Sequence, residues 1–177
     1  FCKEVWKYLY STSKMHMCLI PESDKYRVRI SADASFAPGG DRSRTGVVIR
    51  VAGAIVHWSS NRQSGSVLSV HEAELNGAVT GTKVGVSIRE IVQELEQKEV
   101  KLKLDQDNMG TITSILHQVT SWRTRHYASR ASGIRDLIAQ QGIVVEHVKG
   151  IAIIADPLTK VLPRTELREA YDKLKLR

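Results

Sequence analysis

The sequence predicts an α/β domain, with a five-stranded mixed sheet that begins with three antiparallel strands and carries helices on both faces. Two observations predict it. Between Tyr26 and Ser60 the apolar residues recur with a period of two in three stretches, and turn residues part those stretches. From about residue 67 the period becomes helical, and two further short strands then alternate with helices, the pattern of a mixed sheet with packed helices.

Each element has its own signal. FCKEVWKYLYSTSKM sets Val5, Tyr8 and Leu9 at helical spacing until Pro21 breaks the pattern, and residues 1–20 read as the tail of a preceding domain. Val28, Ile30 and Ala32 alternate with Arg27, Arg29 and Ser31, and APGGDRS then makes a turn. TGVVIRVA and AIVHWSS are two more strands joined tightly at Gly53, and Trp58 is assigned to the core. A loop at 61–66 leads into a helix that lasts to about Gln97, with a break expected near Gly85. VKLKLDQ is the fourth strand and DNMGTITSILHQ a short helix; a basic turn then opens a helix that stops at Gly142, where glycine suits a helix end. IVVEHV is the fifth strand, and a helical tail interrupted at Pro163 follows.

Composition limits the function. A chain of 177 residues suits one domain with a real core. Twenty-six Lys and Arg against nineteen Asp and Glu leave a net charge of +7, which favours a polyanionic partner. Cys2 and Cys18 have neither metal-ligand spacing nor a disulfide framework, as in a reducing compartment. No apolar run reaches the roughly 20 residues of a membrane span and no signal pattern opens the chain, so a soluble, intracellular protein is expected. Phe1 falls within a helical pattern, as expected of a piece of a longer chain.

Several acids stand out. Asp33 lies inside a strand, where Asp is disfavoured because its side chain competes for backbone hydrogen bonds. In the helix SVHEAELNGAVTGTKVG, Glu72 shares a face with Asn76, Thr80 and Lys83 and reads as solvated. Glu74 continues instead through Gly77, Ala78, Gly81 and Gly85, although each helical glycine costs about 1 kcal/mol relative to alanine. Such a stripe lets the helix lie close on a sheet and brings Glu74 over the strand of Asp33. Asp105 and Asp107 both fall on the face of Lys101 and Lys103, and alternation leaves the choice between them open. Asp107 or Asn108 would also serve as a helix N-cap, and so would Asp156 before Pro157.

Read in order, SADASFAPGGDRSRTG, HWSSNRQ, HEAEL, LDQDN, RTRH and ADPLTKVLP resemble the ribonuclease H domain of copia-type retrotransposon Pol polyproteins, with its SDADWAG, DRKSTSGY, WSSKKQ, TEAEY, CDNQSA, RTKHI and ADILTKPLP. The likeness covers nearly the whole chain, and KYLYSTSKMHMCL resembles the family's segment joining reverse transcriptase to ribonuclease H. It implies a tail of the reverse transcriptase or connection region at 1–22, a ribonuclease H domain at 23–165 and a C-terminal helical tail at 166–177. Matching motif to motif selects Asp33, Glu74, Asp107 and Asp156, and puts Ser35 where the family has a second Asp.

The resemblance implies a ribonuclease H-like fold in which these four carboxylates converge, hold two Mg²⁺ ions, for which Mn²⁺ substitutes, and cut the RNA strand of RNA–DNA hybrids during reverse transcription. Carboxylate oxygens suit Mg²⁺, and a metal pair about 4 Å apart serves an in-line displacement. Asp33 would bridge both ions. Asn108, Ser60 and Gln63 are candidates for sugar and phosphate contacts, and Arg123, Arg125 and His126, with Trp122 and Arg130, for a basic and aromatic phosphate cluster. The implied partners are the hybrid and the reverse transcriptase domain of the same polyprotein, with no membrane, and the implied location is cytoplasmic, in a virus-like particle, or nuclear. His71, Gln106, Met109 and Gly110 depart from the family's Thr, Cys, Gln and Ser. VKGIAIIAD also runs past the loop histidine of bacterial and retroviral ribonucleases H without one, as copia-type domains tend to, and His147 is given a structural role. The rival readings are a catalytically silent hybrid-binding or structural module that supports the polymerase, and another nuclease of the same fold.

Overall fold

The computed structural model describes residues 2–23, 25–37, 42–65, 67–118 and 125–177, with only the backbone at 125, 126 and 164. The elements are α1 (Cys2–Ser11), β1 (Val28–Ser35), β2 (Arg44–Val51), β3 (Ala54–Arg62), α2 (Val70–Glu96), β4 (Leu102–Gln106), α3 (Met109–Leu116), α4 (Arg125–Gln141), β5 (Val144–His147), 3₁₀ turns at Gly150–Ala152 and Asp156–Leu158, and α5 (Arg164–Lys173). One five-stranded sheet has the order β3-β2-β1-β4-β5. Strands β1, β2 and β3 pair antiparallel, and β4 joins β1, and β5 joins β4, in parallel. The expected α/β architecture is the one observed.

The β2–β3 hairpin turns on Ala52 and Gly53, both at positive φ (49° and 82°), as a two-residue loop of the I′ type requires. Helix α2 covers one face of the sheet and α4 packs beside it. Their shared core joins Ile30 and Ala32 of β1, Val47 and Ile49 of β2, Leu102 and Leu104 of β4, Leu75 of α2 and Ile134 and Ile138 of α4. A smaller core lies on the opposite face, where Val48 and Ile55 meet Ile153, Ile154 and Ala155, with Met17, Leu158 and Leu174 against it.

The expected break at Gly85 does not occur: α2 is continuous over 27 residues. A Cβ on Gly85 would collide with the Ile30 side chain, and one on Gly81 would come within 2.9 Å of Ile30 Cγ2. These glycines are contact points with β1. Tertiary packing outweighs their low helix propensity.

Helix α1 has no buried residue. Past it, the chain pairs with the C-terminal residues: His16 N–H donates to Arg177 O (2.8 Å), Arg177 N–H to His16 O (3.0 Å) and Cys18 N–H to Lys175 O (2.9 Å). No helix among the described residues is long and apolar enough to cross a membrane.

Candidate active site

The parallel ladder of β1 and β4 ends at the pair Ser31↔Asp105. Asp33 in β1 and Asp107 just past the end of β4 lie two residues beyond it, where these two backbones have stopped pairing. From there β1 leads to β2 on one side of the sheet, and β4 leads through α3 and α4 to β5 on the other. Such a switch point leaves a crevice at the carboxyl ends of the strands. Glu74 reaches it from the second turn of α2, because a Cβ on Gly77 would sit only 3.4 Å from the Asp33 carbonyl oxygen. The small-residue stripe acts as expected, seating the helix backbone on β1.

One carboxylate oxygen from each of Asp33, Glu74 and Asp107 lies within 4.8 Å of the other two. Asp33 and Glu74 are 2% and 6% exposed, and Asp107 is half-buried. The arrangement is electrostatically unfavourable by itself. Burial, then the charges of Asp33 and Asp107, push Glu74 from the ordinary 4.5 up to about 8, against a lowering hydrogen bond from the Ala34 backbone. Burial also raises Asp33; Thr159 and Lys160 oppose that shift, and Asp156 and Asp107 add to it. Glu74 Oε2 is buried and has no hydrogen-bond partner among the described residues. Buried, like-charged, hard oxygen donors with an unused lone pair are what an oxygen-seeking divalent cation requires.

The fourth acid arrives on another segment. A Cβ at Gly46, the register partner of Asp33, would lie 2.8 Å from Ala155 O and 2.9 Å from Leu158 Cβ and Thr159 Cγ2. Glycine there lets the Asp156–Leu158 turn rest directly on β2. As a result Thr159 Oγ1 donates to Asp33 Oδ2, while Asp156 pairs with Lys160. Asp156 opens this 3₁₀ turn and not the last helix, since α5 starts after Pro163. Its carboxylate is not one of the three clustered groups, though its charge reaches Asp33. A cleft of about 460 Å³ lined by Asp107, Gly150, Asp156, Lys160 and Glu166 reaches the edge of the cluster at Asp107. Sequence reasoning gave no role to Thr159, whose only signal is its place within ADPLTK. It also missed Gln106, whose buried Oε1 accepts from the backbone N–H of Asp107 (2.8 Å) and Asn108 (3.3 Å), fixing the turn after β4.

The candidate substrate residues are spread more widely. Asn108 beside Asp107 caps α3, its Oδ1 accepting from Thr111 N–H at 3.0 Å. Ser60 Oγ donates to Leu158 O (2.6 Å) and accepts from Arg44 (3.0 Å). Gln63 is buried, bonding Thr45, the Ala73 carbonyl and Asn76. Trp122 and Arg123 lie outside the described residues, as do the side chains of Arg125 and His126. His147 Nε2 lies 3.1 Å from the Asp107 carbonyl oxygen, next to the cluster. Two expectations are corrected. Trp58 is 58% exposed, because its side of the edge strand β3 is only partly covered. Glu72 is not solvated but 3% exposed, because α4 lies over its face and places Arg130 Nη1 2.7 Å from its carboxylate.

No family model matches the chain. It is 25% identical over 164 residues to the Retrovirus-related Pol polyprotein from transposon TNT 1-94 of Nicotiana tabacum, an alignment covering 93% of this chain and 12% of that protein. It is 28% identical over 144 residues to the Transposon Ty1-DR5 Gag-Pol polyprotein of Saccharomyces cerevisiae, covering 80% of this chain and 8% of the relative. The chain thus spans about a tenth of the length of these relatives. Among solved structures, LC11-RNase H1, isolated from compost by a metagenomic approach, superposes with a TM-score of 0.58 at 18% identity, over 83% of this chain and 96% of that one. That protein has also been solved in complex with an RNA/DNA hybrid. By sequence the chain is similar to the Pol polyproteins of copia-type transposons, and its fold is the one seen in ribonuclease H structures.

Proposed function

We propose that this domain is a divalent-metal-dependent ribonuclease H that hydrolyses the RNA strand of RNA–DNA hybrids, within a retrotransposon Pol polyprotein and in the company of its reverse transcriptase. The observation that carries this reading is the meeting of three carboxylates from β1, α2 and the end of β4 within 4.8 Å, a concentration of negative charge that the nearby Lys160, itself paired with Asp156, offsets only in part. Asp33, Glu74 and Asp107 would hold Mg²⁺, with Asp156 joining once released from Lys160. Bound there, a pair of such ions supplies an activated water and a counter-charge for the leaving oxygen. The chain's residues prepare the site. Thr159 orients the Asp33 carboxylate, Gln106 fixes the backbone of Asp107, and α2 holds Glu74 over β1. The basic net charge and the half-buried Asn108 beside Asp107 support a nucleic-acid substrate. Relatives that are Pol polyproteins and the hybrid complex of LC11-RNase H1 support the choice of an RNA–DNA hybrid.

The test is cleavage of a labelled hybrid in Mg²⁺, Mn²⁺ or Ca²⁺, beside calorimetric titration of the protein with Mn²⁺. Cutting is expected in Mg²⁺ and Mn²⁺ only, because Ca²⁺ takes longer bonds and more ligands. Absence of saturable Mn²⁺ binding would defeat the enzyme reading. Metal and hybrid binding without cleavage would favour the catalytically silent module, the reading to which the Asp156–Lys160 pair lends support.

A further inference from the structure

The first turn of α2 carries a second acid that this chemistry does not use. Glu72 is 3% exposed; its Oε2 accepts from Leu68 N–H at 2.9 Å and its Oε1 meets Arg130 Nη1 of α4 at 2.7 Å. A buried carboxylate is stable only where it is paired and hydrogen-bonded. Arg130 is not used up by this contact. Its side chain is 47% exposed and lines a groove of about 390 Å³ together with Arg62, Lys83, Asn61, Asn76 and Thr80. Three cations and no acid line that groove among the described residues. It also borders the acid cluster: Thr45 on its wall precedes Gly46, the register partner of Asp33, and Gln63 holds the carbonyl of Ala73, next to Glu74.

We infer that Glu72 is a positioning residue: from beneath, it aims the Arg130 guanidinium into this cationic groove, where it takes a phosphate of a polynucleotide strand. The inference rests on the proposed hybrid-cutting function. A guanidinium is a planar fork, so fixing one edge on Glu72 orients the remaining N–H groups. The sign of the effect separates positioning from simple charge. Glu72→Gln removes a negative charge, and long-range electrostatics alone would tighten the binding of a polyanion. Loss of positioning weakens it.

The experiment is fluorescence anisotropy of a labelled RNA–DNA hybrid in Ca²⁺ over a range of salt, with Mn²⁺ calorimetry on each protein. The proteins are the wild type, Glu72→Gln, Glu72→Asp, Arg130→Met and the Glu72→Gln/Arg130→Met double variant. Glu72→Gln and Arg130→Met are each expected to weaken hybrid binding by roughly five- to tenfold and to lower the log–log salt slope by roughly one, with Mn²⁺ binding unchanged. The double variant should be no worse than Arg130→Met. Glu72→Asp keeps the charge but withdraws the carboxylate, and should weaken binding likewise even where the neutral variant does not fold. Unchanged or tighter binding by the Glu72 variants overturns the inference, as does a Glu72→Gln effect that persists in full without Arg130, or a loss of Mn²⁺ affinity alongside. A wild type that binds no hybrid sinks the functional reading as well, whereas equal binding by wild type and Glu72 variants sinks the inference alone.

Discussion

Asp105 and Asp107 lie two residues apart on and just after β4, and their surroundings are opposite. Asp105 is 4% exposed and ringed by cations, with Lys103 Nζ at 3.2 Å, Arg50 Nη2 at 3.7 Å and Arg29 Nη1 at 3.9 Å. Lys103 is itself buried, joined to Glu146 at 2.5 Å and lying 5.5 Å from the centre of the Tyr26 ring. Asp107 has Asp33 and Glu74 for company. Asp105 is buried within a network of cations, whereas the half-buried Asp107 adds to an excess of negative charge around the buried Asp33 and Glu74. Burial does not mark a functional acid; uncompensated burial does.

Breaking each side of the comparison should have different consequences. The largest effect is expected from Asp33→Asn, which should lower hybrid cleavage by about three orders of magnitude or more, given that metal assistance contributes several kcal/mol. Hybrid binding should remain largely intact, and thermal stability should not fall, because a repulsive charge has been removed. Anisotropy and a melting curve check this; parallel loss of binding and cleavage would mean that the variant had merely unfolded. Asp105→Asn should do the reverse. It removes the buried counter-charge shared by Lys103, Arg29 and Arg50, leaving Lys103 only Glu146, and on the order of 3 kcal/mol of stability should be lost in urea unfolding, with the cleavage rate of the folded fraction unchanged. An Asp105 variant that is stable but inactive would erase the distinction.

A smaller effect concerns the stripe that brings Glu74 to Asp33. Gly81→Ala places a methyl 2.9 Å from Ile30 Cγ2 and should cost roughly 1–3 kcal/mol by overpacking, despite alanine's better helix propensity. A stabilised variant in the same unfolding assay would show that α2 does not press on β1.

The mildest test is pH. Glu74 holds its proton to about pH 8 in the folded chain, but an unfolded glutamate loses it near 4.5. Across that window the folded state binds more protons than the unfolded one, so metal-free stability should fall as pH rises. A cation must displace the same proton, and Mn²⁺ affinity should therefore rise with pH and level off above about 8, with proton release seen in buffers of different ionisation enthalpy. A flat profile between pH 5 and 8 would count against a proton shared among the clustered acids.

The same contrast explains what was legible beforehand. Asp33 stood out because strands disfavour Asp, and Glu74 because glycine recurs along its face; both signals are local. The choice between Asp105 and Asp107 was not local. It depends on where the β1–β4 ladder ends and on Arg29 and Arg50 from two other strands, so it came from resemblance alone. Glu72 was misread for a related reason: helical periodicity shows which residues share a face, but not that α4 will cover that face with Arg130. Trp58 failed in the opposite sense, because an apolar residue in a strand pattern says nothing of whether the strand is an edge.

The pairing of residues 16–18 with 175–177 has a mechanical consequence. The two segments run antiparallel, with His16 bonded to Arg177 in both directions. Tension applied from the α1 side and from the C-terminal side enters at the same end of this short ladder. Its hydrogen bonds are then loaded one after another instead of all together, and they yield like the teeth of a zip at low force. The sheet that carries Asp33 lies beyond that first yielding point and stays unstrained until the zip has opened.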